Sequence, residues 1–244
     1  MDVLWSFGPE RRREAFDALV ARLFDDDGRR ADRSQTESET TTPRRPLPET
    51  SHCEVLFERQ TGDVAEVAVV ICCRDDGRVI DAALDGVLAQ TAGSLELVVV
   101  DDGSTDDSVA VVAAWMAKNA PRFVAVTHLR NPTPSGLALS RNAGFERAAA
   151  PLVLPLAAEH VLAPGCIASL RDALEASAAA GTHDDDPGST APTLLVRRSA
   201  WARCGGYRPV SPGDEDRAFR SALAEDGLCI QPVGDSLVPS PSAG

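Results

Sequence analysis

The stretch LELVVVDDGSTDDS, residues 95–108, decides the fold. Its first six residues form a nearly continuous apolar run, which predicts a strand buried on both faces of a sheet. The acidic, glycine and hydroxyl residues of DDGSTD follow at once and predict a loop with a helix cap. A strand, a loop and a helix in this order are the first part of a β-α-β unit, so the flanking sequence should repeat them.

The same alternation continues on both sides of this stretch. Upstream, VAVVICC (67–73) is a second buried strand, and apolar residues at helical spacing over 79–88 predict a helix after it. Downstream, FVAVTH (123–128) and LVLPL (152–156) read as strands, with a helix predicted over 137–150 between them. Strands that alternate with helices predict an α/β fold with a mainly parallel sheet, flanked by helices and joined by right-handed crossovers.

The chain before this domain has a different composition. Residues 1–24 are predicted to form an amphipathic helix, from an apolar stripe over 9–24, that either packs on the following domain or docks a partner. Residues 25–62 are mostly polar, charged or proline and predict a disordered linker. The folded domain is therefore expected over residues 63–238, with 239–244 as a tail.

Composition excludes several classes of partner. The 244-residue chain carries a formal net charge of −13, and only 5% of its residues are aromatic, which argues against nucleic acid and anionic membranes as ligands. Its six cysteines have no CxxC pair or zinc spacing, and no signal segment is visible, so a cytoplasmic location is expected. The longest weakly polar run, 148–158, is too short to span a bilayer, so any membrane attachment should be peripheral or through a partner.

Ligands of parallel α/β sheets bind beyond the carboxyl ends of the strands. The segments expected there are CRDD (73–76), DDGSTD (101–106), HLRN (128–131) and AAEH (157–160). Acidic groups dominate them, which indicates a bridging divalent cation if the ligand is a phosphate ester. The glycine motifs of dinucleotide-binding proteins, P-loop proteins and serine hydrolases do not accompany these strands, so those readings lack their required residues.

Taken in order, the segments of residues 66–234 resemble family 2 glycosyltransferases of the GT-A fold. The resemblance rests on VAVVICCRDDG, LAQT, LELVVVDDGSTDDS, GLALSRNAGFERA, LVLPLAAEHVLAP, LLVRRSAWARCGGY and GDEDRAFRSALAEDG. It implies a Rossmann-like GT-A domain. It also implies an enzyme that moves a sugar from a nucleotide-diphosphate donor to an acceptor hydroxyl, with inversion at the anomeric carbon.

The resemblance also implies donor-binding residues. Asp102, with Asp101 beside it, would accept a hydrogen bond from the nucleotide base, and Asp75 stands where the family often has asparagine at the same pocket. Arg141 resembles an arginine placed near the donor diphosphate, a group that a guanidinium fork suits. The residues alone leave two plainer alternatives open: the aspartates form only a turn and a helix cap, and Arg141 is a solvated or ion-paired helix arginine.

The clearest departure from the family follows the fourth predicted strand. An Asp-x-Asp sequence usually holds a divalent cation there, whereas this chain has Ala157, Ala158, Glu159 and His160. Ala157 has no ligand atom, so Glu159 and His160 are the candidate ligands for Mg or Mn. The alternative is that Glu159 and His160 are simply an exposed loop pair.

The GDED segment supplies the candidate general base. Asp216 is preferred because this register puts Phe219 and Leu223 on one helical stripe and Gly227 at the helix end. Asp214 is the second candidate. An acidic helix start, favoured by the helix dipole alone, is the plainer alternative.

Two other functions stay open at this level. A catalytically impaired GT-A-like scaffold that binds a nucleotide or a partner is suggested by Ala157. A nucleotidyltransferase has a similar sheet and similar acidic loops and would release pyrophosphate from a nucleoside triphosphate.

Overall fold

The structure, a computed structural model, describes residues 50–174, 180–182 and 194–232. The predicted helix over 9–24, most of the predicted linker and the tail lie outside these residues. The described residues form an eight-stranded mixed sheet in the order β1-β4-β3-β2-β5-β7-β6-β8. Helices pack on both faces of the sheet, and the predicted α/β class is confirmed.

The strands are β1 (Glu54–Gln60), β2 (Val67–Cys73), β3 (Leu95–Asp101), β4 (Ala125–Arg130), β5 (Leu152–Ala157), β6 (Ala180–Thr182), β7 (Leu194–Arg197) and β8 (Ile230–Pro232). The helices are α1 (Ile80–Leu88), α2 (Ser108–Asn119), α3 (Leu137–Arg147), α4 (Cys166–Ala173), α5 (Arg198–Cys204) and α6 (Glu215–Glu225), with a 3-10 turn at Ala120–Arg122. Strands β2 to β5 pair in parallel with one another. Strand β1 pairs with β4 in the antiparallel direction, and β7 pairs in the antiparallel direction with both β5 and β6.

Strand β2 lies at the centre of the sheet, and all seven of its residues are buried. Val69 and Ile71 enter the core on one face, which also contains residues of α1, α2 and α4. Val70 and Cys72 enter the second core, with residues of α3, α5 and α6. A strand covered by helices on both faces must be apolar at every position, which explains the continuous run VAVVICC.

Helix α3 packs closely on this central strand. A Cβ atom built on Gly144, in the middle of α3, would lie 2.2 Å from Cγ1 of Val70. Glycine lowers helix propensity, but here it lets the backbone of α3 approach the sheet. The helix is thereby held over the carboxyl end of β2, where the candidate site lies.

Strand β4 begins two residues later than predicted. Phe123 is buried after the 3-10 turn, and Val124 donates a backbone hydrogen bond to Leu95, so pairing along the strand starts only at Ala125. The strand consequently ends at Arg130. Leu129 and Arg130, expected in the loop after the strand, instead belong to the strand itself.

The predicted linker needs a correction at its end, because residues 54–60 form the edge strand β1. This strand is half-exposed and pairs with β4, with a register shift between Val55 and Phe57. Phe57 packs against the core, and Nη1 of Arg59 donates to the carbonyls of Ala120 and Phe123 at 3.1 and 3.2 Å. These long-range contacts stabilise a strand whose polar composition resembles a linker.

Candidate functional site

The loop after β3 is shaped by Asp101. This residue is fully buried, and its Oδ1 accepts a hydrogen bond from the Ser104 amide at 3.0 Å. Nε of Arg130 lies 3.5 Å from the same oxygen. Gly103, between them, has a φ of 73°, and Pro134 lies 2.9 Å from where its Cβ would be. The DDGS sequence therefore forms a tight turn that only glycine fits at its centre.

Asp102 binds the loop of residues 131–136. Its Oδ1 accepts hydrogen bonds from Nδ2 of Asn131 at 2.7 Å and from the Ser135 amide and hydroxyl at 2.8 and 3.0 Å, while its Oδ2 accepts from the Gly136 amide at 2.8 Å. Burial opposes ionisation, but these hydrogen bonds outweigh it and lower the pKa of Asp102. The carboxylate predicted to meet a nucleotide base is thus already engaged with a neighbouring loop.

Asp75 joins the loop after β2 to the loop after β3. Its backbone is left-handed, with a φ of 58°, a conformation that aspartate tolerates better than most residues. Its Oδ1 accepts hydrogen bonds from the Thr105 amide at 2.7 Å and from the Asp106 amide at 3.2 Å, and its own amide donates to the Ser104 hydroxyl at 3.0 Å. The backbone hydrogen bond from Thr105 is the main cause that lowers the pKa of Asp75.

Acidic side chains gather around Asp76 on the same edge of the sheet. Burial raises the pKa of Asp76, and the negative charges of Glu159, Asp106 and Asp75 raise it further against a hydrogen bond from Arg74. Glu159 is exposed, in a turn closed by a 3.0 Å hydrogen bond from the His160 amide to the Ala157 carbonyl. The charge of Glu159 therefore acts on Asp76, in the loop after β2.

The residues of this turn do not fit a protein-held divalent cation. Ala157 offers no ligand atom, and the part of the chain that the structure describes contains no group of three His, Cys, Asp or Glu side chains placed to hold a metal ion. A cation site normally needs several oxygen or nitrogen ligands. Glu159 and His160 alone do not supply them.

Asp216 and Arg141 form an ion pair beside these loops. Nη1 of Arg141, on α3, lies 2.7 Å from Oδ1 of Asp216, in the first turn of α6. The guanidinium carbon lies 5.1 Å from the centre of the Tyr207 ring, and this ring stacks on Phe219 with 4.1 Å between centroids. Arg141, which is predicted to bind the donor diphosphate, and Asp216, the predicted general base, are therefore in direct contact.

Asp214, the second candidate base, lies immediately before α6. Its Oδ1 accepts a hydrogen bond from Arg217 at 2.8 Å, and the Arg217 side chain is 79% exposed. Phe219 and Leu223 are buried on one stripe of α6, as the Asp216 register predicts. Arg217 points away from the core in that register.

The buried thiol of Cys72 shows that these side chains lie together at the end of β2. Burial raises the pKa of Cys72 to about 12, and the charges of Arg141, Asp102 and Asp216 all act on the same thiol. The predicted donor and base residues thus meet at the carboxyl ends of the parallel strands. Cys72 itself is a core residue, because a thiol with such a raised pKa is a poor nucleophile.

Sequence reasoning missed two residues of the site, Tyr207 and Ser135, and placed Asn131 only as a member of the segment HLRN. Tyr207 is fully buried, and the one available signal was that it is the chain's single tyrosine. Ser135 gave no signal, because loops rich in Pro, Ser and Asn are common at any strand end.

Comparison with known proteins agrees with the fold. The family model for glycosyl transferase family 2 matches residues 68–221, more than half of the chain. This chain belongs to glycosyl transferase family 2. The region matched by the family model includes β2 to β5 and both residues of the Arg141–Asp216 pair.

A curated relative and several solved structures are similar to this family 2 chain. An uncharacterized glycosyltransferase of Nostoc sp. strain PCC 7120 is 34% identical over 99 residues, 41% of this chain and 30% of the relative. A Pyrobaculum calidifontis mannosyltransferase in complex with GDP-Man and Mn²⁺ superposes with a TM-score of 0.61 at 19% identity, over 82% of this chain and 62% of that one. Glucosyl-3-phosphoglycerate synthase from Mycobacterium tuberculosis, in complex with Mn²⁺, UDP and phosphoglyceric acid, superposes with a TM-score of 0.56 at 12% identity. The superposition covers 74% of this chain and 72% of that one.

These structural similarities establish the GT-A fold for the family 2 chain. The match spans less than a third of the Nostoc relative and less than two thirds of the mannosyltransferase. In the described part of the chain, no helix has the length and apolar character needed to cross a membrane.

Proposed function

We propose that this chain transfers a sugar from a nucleotide-diphosphate sugar to an acceptor hydroxyl, with inversion at the anomeric carbon. The observation that carries the proposal is the position of Asp216. Its side chain is 29% exposed and pairs with Arg141 of α3, and its charge, like that of Asp102, acts on Cys72 near the carboxyl end of β2. Family membership and the GT-A fold support glycosyl transfer in general.

The donor nucleotide is proposed to bind across the loops after β2 and β3. Asp101 and Asp102 shape this surface through buried hydrogen bonds, and Asp75 links its two loops. Asp75 is the exposed carboxylate of the three. Because an ionised carboxylate only accepts hydrogen bonds, Asp75 is the group of this set best placed to receive one from the base or ribose.

Asp216 is proposed as the general base. It takes the proton of the acceptor hydroxyl while that oxygen forms its bond to the anomeric carbon, and the bond from this carbon to the nucleoside diphosphate breaks. The attack and the departure occur on opposite faces of the sugar, so the configuration inverts. The acceptor proton ends on Asp216 and the bonding electrons leave with the diphosphate.

The first test measures release of nucleoside diphosphate from UDP-, GDP- and TDP-sugars, with water or a crude acceptor pool as acceptor. We expect release of nucleoside diphosphate from donors of one base class. By NMR, the sugar in the early product should have the anomeric configuration opposite to that in the donor. Calorimetry with UDP, GDP and TDP, each with and without Mn²⁺, identifies the base class independently. Absence of release from all three donor classes would contradict the proposal.

Ala157 favours a second candidate, a catalytically impaired GT-A-like scaffold that binds a nucleotide or a partner. The described residues do not supply a cation site, so no step of the proposed transfer is routed through a metal. Nucleotide binding without diphosphate release is the outcome expected of the scaffold.

Replacing Ala157 with aspartate is expected to create a dependence on Mn²⁺. The new carboxylate would stand at the last residue of β5, two residues before Glu159. Loss of a partner that only supports a metal ligand typically costs about 10- to 100-fold in metal affinity or activity, so a direct ligand should change it by at least as much. Calorimetry should show Mn²⁺ tightening nucleotide binding by this factor in A157D and much less in the wild type. Glu159→Gln in the A157D background is the matched control and should reverse the gain. Equal Mn²⁺ effects in wild type and A157D would contradict the expectation.

The proposed compartment is a reducing one. All six cysteines lie in described residues, and all are free thiols. Structural disulfides are common in oxidising compartments and rare in the cytosol, so this supports a cytoplasmic location.

A further inference from the structure

Two side chains approach the same oxygen of Asp216. Nη1 of Arg141 lies 2.7 Å from Oδ1, and the Tyr207 hydroxyl lies 3.5 Å from that atom, at the outer limit of a hydrogen bond. Burial raises the pKa of Tyr207, so this hydroxyl stays protonated and can only approach the carboxylate as a donor. Oδ2 is consequently the oxygen of Asp216 that can receive a proton from a substrate.

Arg141 is held in place from several directions. Its side chain is only 6% exposed, because α3 carries it beneath the surface of the site. One face of the guanidinium lies over the Tyr207 ring, and the next residue, Asn142, binds the Tyr207 backbone through its amide and carbonyl at 2.8 Å each. A planar guanidinium stacked on a ring and paired with a carboxylate has little freedom to turn.

We propose that Arg141 is a positioning residue, which fixes the Asp216 carboxylate for proton transfer rather than binding the donor diphosphate. This inference rests on the proposed function, in which Asp216 is the base. To reach a diphosphate, Arg141 would have to leave its ion pair with Asp216 and its contact with Tyr207. The Arg141 side chain is only 6% exposed, so leaving Asp216 would cost it the pairing that offsets the burial of its charge. A pair that stays intact during turnover would instead keep Oδ2 aimed at the acceptor.

The two roles predict different kinetics for Arg141→Met. A positioning role predicts that kcat for the donor falls by about 100-fold, the typical effect of misplacing a reacting group by about 1 Å. The KM for the donor and the affinity for the free nucleoside diphosphate should change by less than threefold. A diphosphate ligand would instead raise both the donor KM and the nucleotide Kd by tenfold or more.

A double-mutant cycle with Asp216→Asn makes the test independent of either single effect. When two residues act as one unit, removing the second after the first causes little further loss of activity. R141M/D216N should therefore turn over within about threefold of D216N alone. Arg171→Met is the matched control, because it removes a guanidinium from an ion pair with Glu66 on an exposed surface. We expect its kcat to equal that of the wild type.

The measurements use the full chain, with diphosphate release from the donor class to which the wild type responds. If thermal unfolding shows that R141M does not fold, Arg141→Lys replaces it. This variant keeps the charge and loses the planar contact with Tyr207, so kcat should fall while the donor KM changes little. A raised donor KM with unchanged kcat, or losses that multiply in the double variant, would overturn the inference alone. A wild type that releases no diphosphate from any donor overturns the proposed function, and the inference falls with it.

Discussion

Asp216→Asn should lower kcat for glycosyl transfer by about 10²- to 10⁴-fold, the contribution that general base catalysis usually makes. Asparagine keeps the shape of the side chain, and its carbonyl oxygen can still accept the hydrogen bond that Arg141 now gives to Oδ1. It cannot take a proton from the acceptor. Donor KM should therefore remain within about threefold, since the donor loops are untouched. Initial rates of diphosphate release at saturating donor measure both values.

Asp214→Asn is the comparison that decides between the two candidate bases. Asp214 is 43% exposed at the start of α6 and forms an ion pair with the exposed Arg217, so its loss should affect kcat far less than the loss of Asp216. A larger loss in D214N than in D216N would reverse the two assignments. Thermal unfolding of both variants separates a catalytic effect from a structural one.

Acidification from pH 7 to pH 4 should cost the protein about 3 kcal/mol through His128 alone. This histidine lies inside β4 and is fully buried, and within the described part of the chain neither ring nitrogen has a hydrogen-bond partner. Burial lowers its pKa from 6.5 to about 4, with Asp101 opposing and Arg130 adding to the shift. The unfolded chain therefore binds a proton more readily than the folded one. The stability that neutral His128 contributes is fully present above pH 6.5. It is lost progressively as the pH falls, and the loss is complete below pH 4.

His128→Leu should remove this dependence. Leucine fills a similar volume without an unpaired polar group, so the variant should gain about 1–3 kcal/mol at pH 7 and show a flatter profile between pH 6.5 and 4. Urea unfolding at a series of pH values measures both effects. His52→Leu is the matched control, because His52 is exposed and its removal should leave the slope unchanged. A slope that persists in H128L would show that other groups carry the acid sensitivity.

The central strands could be predicted from the sequence because their pattern is local. The apolar runs at β2, β3 and β5 are continuous, since helices cover both faces of the sheet. Strand β1 could not be predicted in the same way. It is an edge strand with alternating exposure, and what stabilises it, pairing with β4 and the contacts of Phe57 and Arg59, depends on residues far along the chain.

Some members of the candidate site could be predicted from the sequence, but their pairings could not. The sequence places Asp102, Arg141 and Asp216 among the candidates, because each belongs to a recognisable segment after a strand or at a helix start. That Arg141 contacts Asp216 depends on the packing of α3 against α6 across 75 residues of sequence. That Asp102 is engaged by the amides of Ser135 and Gly136 depends on how one loop folds back. No periodicity or composition encodes either contact.

The pairing of β1 with β4 also sets an order of events during synthesis. Glu54 pairs with Arg130, about 76 residues later, whereas β2 can pair with β3 as soon as the next helix has been made. At about 5–20 residues per second, a ribosome needs about 4 to 15 s to complete that interval. During this time Val55 and Phe57, which pair with Leu129 and His128 in the folded protein, have no partner strand. Strand β1, the first of the described strands to leave the ribosome, thus waits for β4 before it can pair, so nascent chains expose an unpaired edge that a chaperone can cover.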